Sequence, residues 1–252
     1  MNQDYEELEA SLEFGIPPEF IINIDESGYQ EWANARNLQC IVPIGYPNIA
    51  VRIPRDRTSK RATMLNGICA NGSTIKPMIV LSRETIEKEL LDHGYTLDRV
   101  HIGRCDTDYI NQKLFLQWVK QSFIPEMRAN RAWFHYDGTM IIIMDGFGVH
   151  FCDQFRKILL TDDIHPLLFA PHSSNQTQFV DLLIFGLQKA KMQQIRINNQ
   201  FNPQTQQVIK ILDSWQRVTT PINVIAAFRR GGLIIQQRRL VSRVDRSHAK
   251  FR

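Results

Sequence analysis

The stretch Met140-Ile141-Ile142-Ile143-Met144-Asp145-Gly146 decides the fold. An unbroken apolar run of strand length, with no alternation, is the pattern of a strand buried on both faces, and such strands lie inside sheets covered by helices. The turn pair Asp137-Gly138 precedes the run and Asp145-Gly146 ends it. An α/β architecture follows, with an aspartate at the end of an interior strand.

Upstream, Glu19-Phe20-Ile21-Ile22-Asn23-Ile24-Asp25-Glu26, bounded by Ser27-Gly28, reads as the first strand. A period of two places Ile21, Asn23 and Asp25 on one face and Phe20, Ile22, Ile24 and Glu26 on the other. The adjacent Asp25 and Glu26 therefore cannot serve one site. Ala62 to Leu81 carries a hairpin signature, with Asn71-Gly72-Ser73 between β-like runs. Residues 82–110 are charged and irregular, an expected surface insertion with a short helix at Arg83–Leu91. Leu114, Phe115, Trp118 and Val119 mark an amphipathic helix over Asn111–Ile124 that is expected to stop at Pro125.

Downstream, the pattern predicts a helix over 151–160, a short strand at His165–Ala170 and a loop at Pro171-His172-Ser173-Ser174-Asn175. A helix with a basic face (Lys189, Lys191, Arg196) is expected from Asp181 to about Asn198, and two more over about 205–216 and 221–230.

The chain of 252 residues is 43% hydrophobic, the composition of a packed globular protein. Its formal charge of +4 hides an asymmetry: nine of the 26 acids, and none of the 30 Lys and Arg, fall in the first 31 residues. The rest carries 30 bases against 17 acids and is suited to a polyanionic partner. The apolar runs fall far short of the roughly 18 residues of a membrane span, and an acidic N-terminus cannot serve as a signal peptide, so a soluble, unsecreted protein is expected. Cys40, Cys69, Cys105 and Cys152 are scattered without a CxxC pair, which gives no support to a zinc or disulfide framework and suggests core thiols. The expected organisation is an acidic leader over 1–16, one domain over 17–232 and a basic tail over 233–252.

Three acids carry candidate chemistry. Asp25 ends the first strand, Asp145 ends the interior strand and Asp181 opens a helix after a loop. Ligands of open α/β sheets bind outside the carboxyl ends of the strands. Three carboxylates converging there need a cation, and hard oxygen ligands select Mg²⁺ or Mn²⁺. Two such ions about 3.5–4 Å apart activate an attacking water or hydroxyl and stabilise the leaving oxygen of a phosphodiester. Each acid also has a plain structural role open to it: an Asx turn with Gly28, a turn pair with Gly146, and a helix N-cap at Asp181.

Asp25-Glu26-Ser27-Gly28, Asp145-Gly146-Phe147-Gly148-Val149-His150, and Pro171-His172-Ser173-Ser174 with Gln178-Phe179-Val180-Asp181 and Phe185-Gly186-Leu187-Gln188-Lys189 together resemble the motif blocks of the DDE superfamily endonuclease domain of pogo, Tigger and Jerky-type transposases. The similarity extends from about residue 17 to 232 and includes the hairpin. It implies an RNase H-like fold, a five-stranded mixed sheet flanked by helices. It also implies that Asp25, Asp145 and Asp181 form the metal-binding catalytic triad, with Mg²⁺ or Mn²⁺ as cofactor and no organic cofactor, and that DNA is cut and joined without a covalent enzyme intermediate. His150 and His172 match recurrent motif histidines, as phosphate contacts or as structural hydrogen-bonders.

Two departures make impaired activity part of this reading. Phe179-Val180 stands where the family usually has Pro-Leu, and Leu182-Leu183 stands where a glycine commonly follows the third acid. The 24 residues before Asp25 are too few for the family's DNA-reading helix-turn-helix modules, so recognition of transposon ends is expected to be absent, lost by truncation or supplied by a separate DNA-binding chain; a homodimer is a further expected partner. Arg57, Lys60, Arg61, Lys189 and Lys191, with the two histidines, are the candidate DNA contacts, and the nucleus the expected location. Two alternatives stand: a domesticated or decayed domain that binds nucleic acid or a protein without catalysis, and, more weakly, a doubly wound phosphatase-like enzyme, which the lack of a Gly-rich phosphate loop argues against.

Overall fold

The computed structural model describes residues 15–29, 61–82, 86–92, 94–107, 109–145, 152–169, 178–197 and 202–233. Arg57, Lys60, His150, His172, residues 1–14 of the acidic leader and the basic tail beyond residue 233 lie outside these residues.

Six strands form one mixed sheet in the order β4-β3-β2-β1-β5-β6. They are β1 (Ile21–Tyr29), β2 (Ala62–Cys69), β3 (Thr74–Leu81), β4 (His101–Arg104), β5 (Met140–Asp145) and β6 (Ile164–Phe169). β1, β2 and β3 are an antiparallel meander, while β5 runs parallel to β1, β6 to β5 and β4 to β3. The mixed α/β, RNase H-like class holds. The sheet has one strand more than the five expected, because β4 forms at the far edge from the stretch read as irregular. Four residues carry too short a pattern to announce a strand; pairing of Met78–Leu81 with His101–Arg104 makes it one.

Helices cover both faces. One face packs against α1 (Ile86–Asp92), α5 (Phe185–Gln194), α6 (Pro203–Val218) and α7 (Pro221–Arg230); the other packs against α2 (Gln112–Trp118), α3 (Ile124–Phe134) and α4 (Asp153–Thr161). The interior strand behaves as its run predicts. Ile141 and Ile143 enter the first core, and Met140, Ile142 and Met144 enter the second.

Two boundaries differ from expectation. β1 runs through Ser27-Gly28 to Tyr29, because Ala62 to Met64 of β2 pair with that stretch. The helix expected to stop at Pro125 continues from α2 through a π turn at Val119–Phe123 into α3. Proline lacks the N–H that would bond four residues back and its ring crowds the preceding turn; a wider turn relieves that conflict without ending the helix. The Gln121 backbone hydrogen-bonds the His101 ring instead. At the hairpin, Gly72 adopts φ 98° and Asn71 Oδ1 accepts from the Ser73 amide at 2.9 Å.

Candidate catalytic site

Asp25 lies within β1, at a position in phase with Ile21, and Asp145 ends β5 in phase with Ile141 and Ile143, so both acids are directed to the α5–α7 side. Asp181 arrives there from a π turn over Val180–Ile184 that leads into α5. The helical stretch already begins at Phe179, so Asp181 is a first-turn residue and not the N-cap. Its carboxyl instead hydrogen-bonds that of Asp25. The Asx turn open to Asp25 is absent, since β1 continues past it.

The electrostatics follow from this meeting. Asp25 is held well above the usual carboxylate range, first by burial and then by the charges of Asp181 and Asp145, against a bond from the Glu26 amide. Asp181 keeps one side in water; partial loss of hydration raises it, the nearby Lys189 ammonium and the bond from Asp25 oppose that rise, and Asp145 adds to it. Two carboxyls in contact under the field of a third are a donor set suited to a hard divalent cation. Among the described residues, no three His, Cys, Asp or Glu side chains are gathered closely enough to hold a metal ion together. The acids thus share one edge, but not a closed cage.

Buried amides hold the surroundings. Asn23, fully buried two residues before Asp25, donates to the Ile143 carbonyl at 3.0 Å and to Gln178 Oε1 at 3.2 Å, and accepts from the Val180 amide at 3.1 Å. One side chain thereby joins the backbone beside all three acids. Tyr29 donates to Gln188, whose Nε2 donates to the Ile211 carbonyl at 3.1 Å, and Gln207 donates to the Tyr29 carbonyl at 2.9 Å. That network ties β1 to α5 and α6. Burial pushes the Tyr29 phenol far up, so it stays a neutral donor.

The departure at Phe179 has a packing counterpart. Phe179 is fully buried, its ring centroid 4.7 Å from that of Phe228, and a Cβ on Gly231 would overlap its ring. Arg230 donates to the Leu182 carbonyl at 3.3 Å. The end of α7 therefore clasps the turn bearing Asp181, in place of proline stiffness.

Of the other expected site residues, Lys189 lies beside Asp181, its Nζ 5.9 Å from the centroid of the Tyr29 ring. Lys191 points along its own helix to Gln194 at 3.1 Å. Arg61 lies on the opposite sheet face, against Gly28 and 4.1 Å above the Tyr109 ring. Asn23 and the glutamine network were not among the sequence candidates, although polar residues inside apolar runs were the available signal.

The sheet order, helices on both faces and acids at one edge define an RNase H-like nuclease fold. A family model for the DDE superfamily endonuclease matches residues 58–228, and the chain belongs to that family, the catalytic domain of transposases. The match spans Asp145 and Asp181 and begins after Asp25. No curated protein sequence matches the chain.

Among solved structures, the Mos1 transposase paired-end complex with the left transposon end aligns with TM-score 0.59 and 15% identity over 92% of this chain and 60% of that one. The Mos1 mariner paired-end complex with Mn aligns at 0.57 and 16%, over 100% and 64%. The isolated Mos1 mariner catalytic domain aligns at 0.53 and 14%, over 92% and 90%. At such identities the likeness is one of fold, and the chain spans about three-fifths of the first of these proteins.

Proposed function

We propose that this chain cuts and joins DNA by metal-dependent phosphoryl transfer, with Asp25, Asp145 and Asp181 holding Mg²⁺ or Mn²⁺. The observation that carries the reading is the shared hydrogen bond of Asp25 and Asp181 under the charge of Asp145, at the sheet edge where α/β folds bind ligands. Mos1 structures with Mn and with Mg, and in complex with transposon ends, support the cation class and DNA as partner.

When bound, the ions activate the attacking oxygen and stabilise the leaving one. The residues of this chain supply the rest. A bound cation would favour the ionised form of Asp25, which burial disfavours, with Asp145 and Asp181 completing the anionic set. Lys189, beside Asp181, offers a cation to a DNA phosphate, and Lys191 extends that basic surface, with Arg57, Lys60, His150 and His172 as further contacts; Arg61, on the opposite sheet face, would meet DNA only away from the acids. Acting on chromosomal DNA, the protein would work in the nucleus.

The test is nicking of supercoiled DNA and joining of oligonucleotide ends in Mg²⁺ or Mn²⁺. Cleavage by the wild-type chain that is lost in Asp145→Asn is the expected result. A second reading, a decayed or domesticated domain that binds DNA without cutting, draws on the open arrangement of the acids among the described residues. DNA binding without nicking, indifferent to metal, would establish that reading instead.

A further inference from the structure

Asn66 of β2 is the cross-strand partner of Asp25 and is fully buried. Its in-phase neighbours Met64 and Ile68 belong to the core on the α5–α7 side, so its side chain shares the face of Asp25. Nδ2 donates to the Asp25 main-chain carbonyl at 3.3 Å. A carbonyl can only accept, so this bond settles which end of the amide is which. Oδ1 is left buried with no hydrogen-bond partner.

A buried acceptor without a donor is costly and calls for an explanation. The β2–β3 ladder shifts between Leu65 and Gly67, so that Asn66 alone faces Lys76 and Pro77; the extra residue is on β3, and the β1–β2 register through Asp25 and Asn66 is unbroken.

We infer that Asn66 Oδ1 is an oxygen donor to the divalent cation held at Asp25, directly or through one water of its shell. Neutral carbonyl oxygens are ordinary partners of hard cations. An amide also adds no negative charge to a cluster whose carboxyls already repel one another. The inference rests on the proposed cation-binding role of Asp25 and adds a residue on a strand that contributes none of the three acids.

The test is Mn²⁺ binding to the full chain, followed by the spin resonance of the free ion and by metal-free thermal unfolding. Asn66→Leu should bind Mn²⁺ about tenfold more weakly while its metal-free midpoint stays near wild type, the removal of the orphaned oxygen offsetting the loss of the Nδ2 bond. Asn66→Asp, nearly the same shape with a charged oxygen, should bind Mn²⁺ more tightly than wild type. Wild-type binding that both variants leave unchanged overturns this inference alone. Should the leucine variant not fold, an unchanged affinity in the aspartate variant does the same. A wild-type chain that does not bind Mn²⁺ overturns the cation site itself, and this inference with it.

Discussion

Asn23 Oδ1 accepts the Val180 main-chain N–H at 3.1 Å across 157 positions of sequence, inside the core and one residue before Asp181. The same amide reaches the Ile143 carbonyl on β5 and Gln178 ahead of the π turn. Two strands and the approach to a helix are thereby set relative to one another by a single side chain, and each of the three segments delivers one acid.

Asn23→Leu should therefore be costly. It removes three hydrogen bonds and leaves the Val180 amide buried without an acceptor, a loss of about 2–4 kcal/mol. Urea unfolding at fixed metal concentration measures it. A loss under 1 kcal/mol would mean that the amide is not what joins these segments.

Gly231 has φ −81°, a value open to any residue, so its lack of a side chain is explained by Phe179 and not by backbone conformation. Gly232, at φ 93°, is the residue that the chain reversal after α7 requires. Gly231→Ala should cost about 1–3 kcal/mol through overpacking, and Phe179→Leu should return part of that cost in the double variant. Additive effects in a double-mutant cycle would contradict the proposed contact.

Much of this framework was legible because its signals are local. The apolar run 140–144, the alternation in β1 and the Asn71-Gly72 turn each depend on near neighbours. β4 was hidden because four residues become a strand only when β3 lies alongside. The helix through Pro125 was hidden because proline is a stop signal unless a π turn absorbs it. Asp145 could be singled out by its place at a strand end; Asp25 and Asp181 were singled out by ends that the structure moves to Tyr29 and Phe179, yet the two do meet. The roles of Asn23 and Asn66 were not legible, since a buried amide acts through partners 155 and 41 positions away that no local pattern announces.

Asp25→Asn should separate stability from function. The folded state raises the pKa of Asp25, so it binds more protons than the unfolded chain and loses stability as pH rises through the window above the ordinary carboxylate value. Removing the titratable group should stabilise the metal-free protein by about 1 kcal/mol at neutral pH and flatten that slope. It should also abolish stabilisation by Mn²⁺. Thermal unfolding with and without Mn²⁺, at several pH values, reports both effects. A destabilised variant that still responds fully to Mn²⁺ would refute the assignment.

His101 should give the protein a second, opposite pH dependence. Burial lowers its pKa, the Lys76 charge lowers it further, and the hydrogen bond with the Gln121 backbone works against both. In the unfolded chain the imidazole takes a proton near its ordinary value of about 6.5, whereas the folded protein resists protonation until lower pH. Between those two values the unfolded state holds more protons, so stability is full above the ordinary value and is lost as pH falls through the window below it. His101→Gln, which cannot titrate, should remove this slope while keeping a polar group near Gln121. Urea midpoints at pH values on either side of about 6.5 are the measurement. Wild type and variant that decline in parallel on acidification would show that another group carries the dependence, and would detach the edge strand β4 from the acid response of the fold.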